Sequence, residues 1–278
     1  MRGWLLPYLG GERASDRLTV PAPVLQLRDH ALEQAIRRDR IELRFQPQIE
    51  PATGHIVAVE ALARWSEVGS PEELFARADA AGLSERLSRA IQRKALRAAG
   101  AWRGSLAALR ISINLLPLDL ERPGYEQWLL GEIAEAGLSP EQVTAEIVES
   151  SLVGDQLAVS GRLARLRAAG VRIAIDDFGT GYSSLAYLTS LPLDAIKIDR
   201  AMIADIVGGS RDRIVVKAMI RLARELGLKV IVEGVESHAQ LRLLEEWGCD
   251  LYQGFLGAPA LDEVELERFV TTSARNAA

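Results

Sequence analysis

The sequence predicts an α/β fold of the (β/α)8 barrel type, because eight short apolar runs alternate with amphipathic stretches over about 240 residues. The strand candidates are Ile41–Gln46, Ile56–Leu62, Ala108–Asn114, Val143–Glu149, Val171–Asp176, Ala195–Asp199, Lys229–Glu233 and Asp250–Gln253. The later runs are rich in β-branched residues, as suits strands covered on both faces. Between them, Ser84–Trp102 places Leu87, Ala90, Ile91, Ala95, Leu96 and Ala98 on a helical stripe. Leu157–Ala169 and Arg211–Leu226 have similar stripes, and Gly170 and Gly227 mark their ends. The competing architecture is an open doubly wound sheet. No G-x-G-x-x-G turn follows the first strand, which weakens a dinucleotide-cofactor reading.

Residues 1–28 carry Gly10-Gly11, Pro21 and Pro23 without sustained periodicity, and read as an N-terminal extension or linker. The domain is expected over 29–272, with a tail at 273–278. A net charge of -5, with acids and bases mixed along the chain, argues against a polymeric nucleic acid partner. No apolar run reaches the roughly 18–20 residues of a membrane span. Cys249 is the single cysteine, which excludes an intrachain disulfide and makes a reducing, cytoplasmic location the expectation.

Chemistry concentrates at the strand ends, where a barrel builds its active site. Within the second run VAVE ends at Glu60, and the third run ends at Asn114; the fourth holds Glu146 and Glu149. Later runs end at Asp176-Asp177, Glu233 and Gln253, and the sixth carries Lys197 with Asp199. One such residue alone is usually a turn former or a helix cap. Several converging carboxylates would repel and desolvate one another unless cations sat between them. Carboxylate and amide oxygens suit Mg²⁺ or Mn²⁺, and adjacent Asp176-Asp177 could serve two ions, the arrangement used to hydrolyse phosphodiesters. Lys197 would either pair with Asp199 or Asp176 or steady the attacking water and phosphate charge. Asp177–Ser184 contains two glycines and reads either as an ordinary turn or as a mobile loop coupled to the site.

The motifs, taken together, resemble the EAL-domain family of c-di-GMP phosphodiesterases. They are Phe45-Gln46-Pro47, Glu60-Ala61-Leu62 with Ala63-Arg64-Trp65, Ser112-Ile113-Asn114 and Glu146-Ile147-Val148-Glu149-Ser150. IAIDDFGTGYSSL at Ile173–Leu185, Leu191-Pro192, Lys197-Ile198-Asp199-Arg200, Val232-Glu233-Gly234-Val235-Glu236 and Gln253-Gly254 follow in the family's order. The resemblance implies a barrel whose first strand runs antiparallel, and hydrolysis of c-di-GMP to linear pGpG. It implies one metal on Glu60, Asn114, Glu146 and Asp176, and a second on Asp176, Asp177 and Glu233. Lys197 would contact the nucleophilic water, Glu233 would be the general base, and Asp176 would complete the catalytic group. Gln46, Leu62, Arg64, Glu236 and Gln253 would shape the substrate site, and Glu149 would anchor the loop. A homodimer through Asp177–Ser184, and a sensory or regulatory partner, are further expectations. The segment after Trp65 is shorter than the family's usual loop, and Phe255–Pro259 is about one residue short. Ala63 and Val232 replace a common leucine and alanine.

Overall fold

A computed structural model of the chain describes residues 28–148, 156–179, 185–209 and 211–276. Eight strands close a barrel in sequence order: β1 Glu42–Ile49, β2 Ile56–Arg64, β3 Arg110–Leu115, β4 Val143–Val148, β5 Arg172–Phe178, β6 Ala195–Ile198, β7 Lys229–Val232 and β8 Leu251–Tyr252. β1 is antiparallel to both β2 and β8, whereas β2 through β8 run parallel. The expected barrel and its reversed first strand are therefore both present.

β1 continues to Ile49, past the expected end at Gln46. Pro47 made the run look finished, because proline donates no ladder hydrogen bond. On the side away from β2, however, β1 is bridged, among the described residues, only at Phe45, to Leu261, and at Ile49, to Tyr252. Pro47 lies between those bridges, where no donor is required.

The two-residue period of the strands separates structure from chemistry. Ile111 and Ile113 on β3, Ala145 and Ile147 on β4, Ile173 and Ile175 on β5, and Val230 and Val232 on β7 all belong to one buried apolar cluster. That cluster also takes in Leu96, Leu129, Leu163, Ile220, Leu244 and Leu266 from the surrounding helices. Each buried aliphatic side chain contributes roughly 1.5–3 kcal/mol over an exposed one. The alternate residues, Glu60, Ser112, Glu146 and Lys197 among them, are polar yet buried.

The helices form where their caps and stripes dictate. Ser84–Ala101 and Arg211–Glu225 match the sequence expectation to within a residue at their ends, and Gln156–Ala168 to within one at each end. Gly170 and Gly227 follow two of them with φ of 106° and 75°. The helix His30–Arg37 is capped by Asp29, whose side chain accepts from the Leu32 N–H at 2.9 Å. It packs Leu32 and Ala35 into a second apolar cluster with Ile41, Trp65, Leu74 and Leu87. The last helix, Glu263–Asn276, enters the segment expected to be a tail. Among the described residues, no helix is long and apolar enough to cross a membrane.

Gly234 turns the chain immediately after Glu233. Its φ is 67°, and a Cβ there would lie 2.2 Å from the Cβ of Arg200. Gly234→Ala should therefore destabilise the fold by about 1–3 kcal/mol, through an unfavourable backbone region and a clash that backbone-linked atoms cannot evade. Urea denaturation with circular dichroism measures this; an unchanged midpoint would show that the turn relaxes freely.

Candidate active site

Lys197 lies at the centre of the barrel. Its Nζ is 2.7 Å from Glu146 Oε2, 2.7 Å from Glu233 Oε1, 3.0 Å from Asp176 Oδ1 and 3.1 Å from Glu60 Oε2. A lysine on β6 can reach carboxylates from β2, β4, β5 and the end of β7 only through the barrel interior. Lys197 is 1% exposed and Glu146 0%, so these charges interact with little screening by water.

One ammonium among four carboxylates leaves the group strongly acidic, and the carboxyls respond unequally. Burial holds Glu146 well above its usual range, against the pull of Lys197 and with added repulsion from Glu60 and Asp176. Burial likewise raises Asp176. Glu233 is pushed up to about 7, chiefly by burial, with Lys197 opposing and Asp176 and Glu60 reinforcing. Burial raises Glu60 too, but Lys197 and hydrogen bonds from Asn114 and Gln253 outweigh it, so that its carboxyl falls below the usual range. Burial would lower Lys197; the surrounding acids reverse that and keep it charged.

Amides hold the carboxylates in place. Asn114 Nδ2 donates to Glu60 Oε1 at 2.9 Å. Gln253 Nε2 donates to Glu60 Oε2 and to Glu233 Oε1, each at 2.9 Å. Gln48 Nε2 donates to Gln253 Oε1 at 3.3 Å and lies 3.5 Å from Glu146 Oε1. Gln48 was not among the expected site residues. The signal was the spacing Gln46-x-Gln48, which puts both on one face of a strand.

Behind β3, Gln92 Nε2 donates to the Asn114 carbonyl at 3.0 Å and to Asp119 Oδ2 at 3.0 Å. Asp119 also accepts from Ser88 Oγ at 2.6 Å and from the Leu116 N–H at 3.0 Å, while Tyr125 donates to Gln92 Oε1 at 2.9 Å. This buried network fixes the backbone that carries Asn114. Helix periodicity alone marks Gln92 as an interruption in an apolar stripe, without revealing its partner.

Asp176 and Asp177 do not end their strand, as the sequence suggested, since β5 continues to Phe178. The β5–β6 pairing shifts register between Ile175 and Phe178. Successive strand residues normally face opposite ways; such an irregularity can re-aim one of them, which is why bulges gather beside active sites. Asp177 adopts φ 54°, a region aspartate tolerates better than most residues, and its N–H donates to Asp176 Oδ1 at 2.9 Å. Burial and the neighbouring Asp176 and Asp199 raise its carboxyl.

The structure thus brings together Glu60, Asn114, Glu146, Asp176, Lys197, Glu233 and Gln253, with Asp177 adjoining. Oxygens of Glu60, Glu146 and Asp176 lie within 4.8 Å of one another, as do those of Asp176, Asp177 and Glu233. Two oxygen-donor trios sharing Asp176 fit hard divalent cations. Gln46 pairs with Glu60 across β1 and β2, and its Nε2 is 3.4 Å from the Ala258 carbonyl. Leu62 and Arg64 continue β2 towards the rim, and Arg64 Nη1 donates to the Ala63 carbonyl at 2.8 Å. Glu236 is exposed beyond β7, with its N–H donating to Gln240 Oε1 at 3.0 Å. Glu149 and positions 180–184 lie outside the described residues.

A closed barrel whose parallel strands deliver a carboxylate cluster to their C-terminal rim defines a β/α barrel with an acidic pocket at the rim. Within that class the chain belongs to the EAL domain family, whose model matches residues 29–260. It is 37% identical over 247 residues to the cyclic di-GMP phosphodiesterase NbdA of Pseudomonas aeruginosa, covering 87% of this chain and 32% of that protein. An uncharacterised Azorhizobium caulinodans protein is 40% identical over 242 residues, covering 83% of this chain and 33% of the relative. This chain therefore spans about a third of the length of these curated relatives. Among solved structures, the PaMucR phosphodiesterase in complex with c-di-GMP superposes with a TM-score of 0.79 at 36% identity, covering 85% of this chain and 98% of that one. The Klebsiella pneumoniae BlrP1 manganese and c-di-GMP complex gives 0.71 at 35% identity, covering 78% and 55%.

Removing the central cation should expose the repulsion it balances. Lys197→Met in EDTA should lose about 3–5 kcal/mol of stability near neutral pH. The loss should shrink as acid protonates the four carboxyls. Equal urea midpoints for variant and parent at pH 7 would mean that the acids do not sense this lysine.

Proposed function

We propose that the chain hydrolyses c-di-GMP to linear pGpG with the help of two divalent cations, Mg²⁺ or Mn²⁺. The observation that carries this reading is the pair of carboxylate trios sharing Asp176 at the rim of an EAL-family barrel. Its substrate is suggested by relatives named as cyclic di-GMP phosphodiesterases and by a similar fold solved with c-di-GMP.

Glu60, Asn114, Glu146 and Asp176 would hold one ion, and Asp176, Asp177 and Glu233 the other. Bound there, the cations lower the pKa of a water and neutralise charge developing on the phosphoryl group. Glu233 would accept the proton of the attacking water. The water oxygen bonds to phosphorus as the bond to the ribose 3′ oxygen breaks, and that oxygen leaves with a proton. Lys197 would contact the attacking water and steady the anionic phosphate. Gln253 commits both N–H groups to Glu60 and Glu233, so it acts by orienting them. Gln46, Leu62, Arg64 and Glu236 would line the substrate approach.

Incubation of the purified chain with c-di-GMP and Mn²⁺ or Mg²⁺ should yield pGpG on chromatography, and EDTA should stop it. Glu60→Ala should reduce turnover to background while the protein stays folded. Binding without turnover would reassign the chain as a receptor, and wild-type rates in Glu60→Ala would overturn the ligand set.

The elevated carboxyls also set a pH dependence. A cation needs Glu233 ionised, so metal binding near neutral pH must expel a proton. Apparent affinity for Mn²⁺ should rise as pH increases through about 7, the region where Glu233 titrates. Calorimetry in buffers of different ionisation heats should detect proton release at pH 6 that fades by pH 8; pH-independent affinity would contradict it.

A further inference from the structure

The end of the barrel opposite the carboxylate cluster holds a cavity of about 500 Å³, framed by the first residues of the parallel strands. That volume lies within the range of small-molecule sites. Its charged wall residues are Arg110, Arg172, Lys229, Glu50, Asp194 and Asp250. The three acids are already engaged. Asp194 accepts from Arg167 Nε and from the Ile173 N–H, each at 2.9 Å. Asp250 accepts from Lys229 Nζ at 2.6 Å and from the Val230 N–H at 2.9 Å. Glu50 accepts from Thr53 Oγ1.

Arg110 and Arg172 are different. Among the described residues, neither guanidinium is in a salt bridge; Arg110 is half-buried, and Arg172 is exposed, with its charge also felt by Glu141. Both side chains line the cavity, and burial, then the like charge of the exposed Arg172, lowers Arg110 from its usual pKa. Two guanidinium groups lining one cavity make a positive potential that favours an anion there. Planar guanidinium groups match phosphate oxygens in geometry as well as in charge. Val57, Ile231 and Leu251 add apolar wall for the remainder of a ligand.

We propose that this cavity binds a small phosphate-bearing anion through Arg110 and Arg172. The site is separate from the carboxylate cluster, yet the two share Gln48. That residue lines the cavity and also donates to Gln253, which in turn holds Glu60 and Glu233. An occupant would thus touch the amide chain that orients the carboxylates.

The test uses the intact, metal-free chain in EDTA and the arginine reagent phenylglyoxal, with modification at each arginine read by mass spectrometry. Inorganic phosphate and AMP are compared with sodium chloride at equal ionic strength. At ten times its Kd, a bound ligand should slow modification of Arg110 and Arg172 by about elevenfold. Arg221, 82% exposed on the outer helix Arg211–Glu225, should be unaffected. Protection by phosphate assigns the site to the free ion, and protection by AMP alone assigns it to a phosphorylated organic ligand. Absence of protection by either, or equal protection at Arg221, overturns the proposal.

Discussion

The structure depends on the electrostatic balance around one buried ammonium group. Four strands present acids to the barrel interior, and Lys197 lies within 3.1 Å of an oxygen from each. Burying charges costs several kcal/mol per ion unless partners compensate. A lone lysine cannot neutralise four ionised carboxylates, so some retain protons, as the raised positions of Glu146, Asp176 and Glu233 indicate. The same imbalance makes the pocket receptive to further cations. The fit for added cations and the raised carboxyls are two expressions of one shortage of positive charge.

Much of this was legible in the chain because strand period and strand position act together. Ile111, Ile113, Ala145, Ile147, Ile173 and Ile175 mark the outward faces, and Glu60, Glu146, Asp176 and Lys197 stand out against them. What a linear sequence hides is long-range closure. The antiparallel sense of β1 came from family likeness rather than from patterning. Gln48 was overlooked because Pro47 made the strand look complete, although bridges at Phe45 and Ile49 leave the proline position without a demand for a donor. Asp176 and Asp177 looked like a strand end, whereas a register shift lets the strand continue to Phe178. Gln92 could not be assigned a partner until Asn114 was placed beside it.

The two ends of the barrel carry contrasting chemistry on one scaffold. The rim gathers acids with a single base at their centre. The opposite end engages its acids with local partners and places two arginines in a cavity wall. Gln48 and Gln253 join these regions through directional hydrogen bonds. Because amide donors and acceptors are few, a shift of one amide must be answered by its neighbours.

The reversed β1 has a mechanical consequence. Glu42 pairs with Arg64, so the chain enters the barrel beside the mouth of the acidic pocket and not at its far end. The helix His30–Arg37 is bolted to that entrance by Leu32 and Ala35 against Trp65 and Leu74. Asp29 and the pocket's lip are therefore joined through a single short helix packed against the strand that carries Glu60.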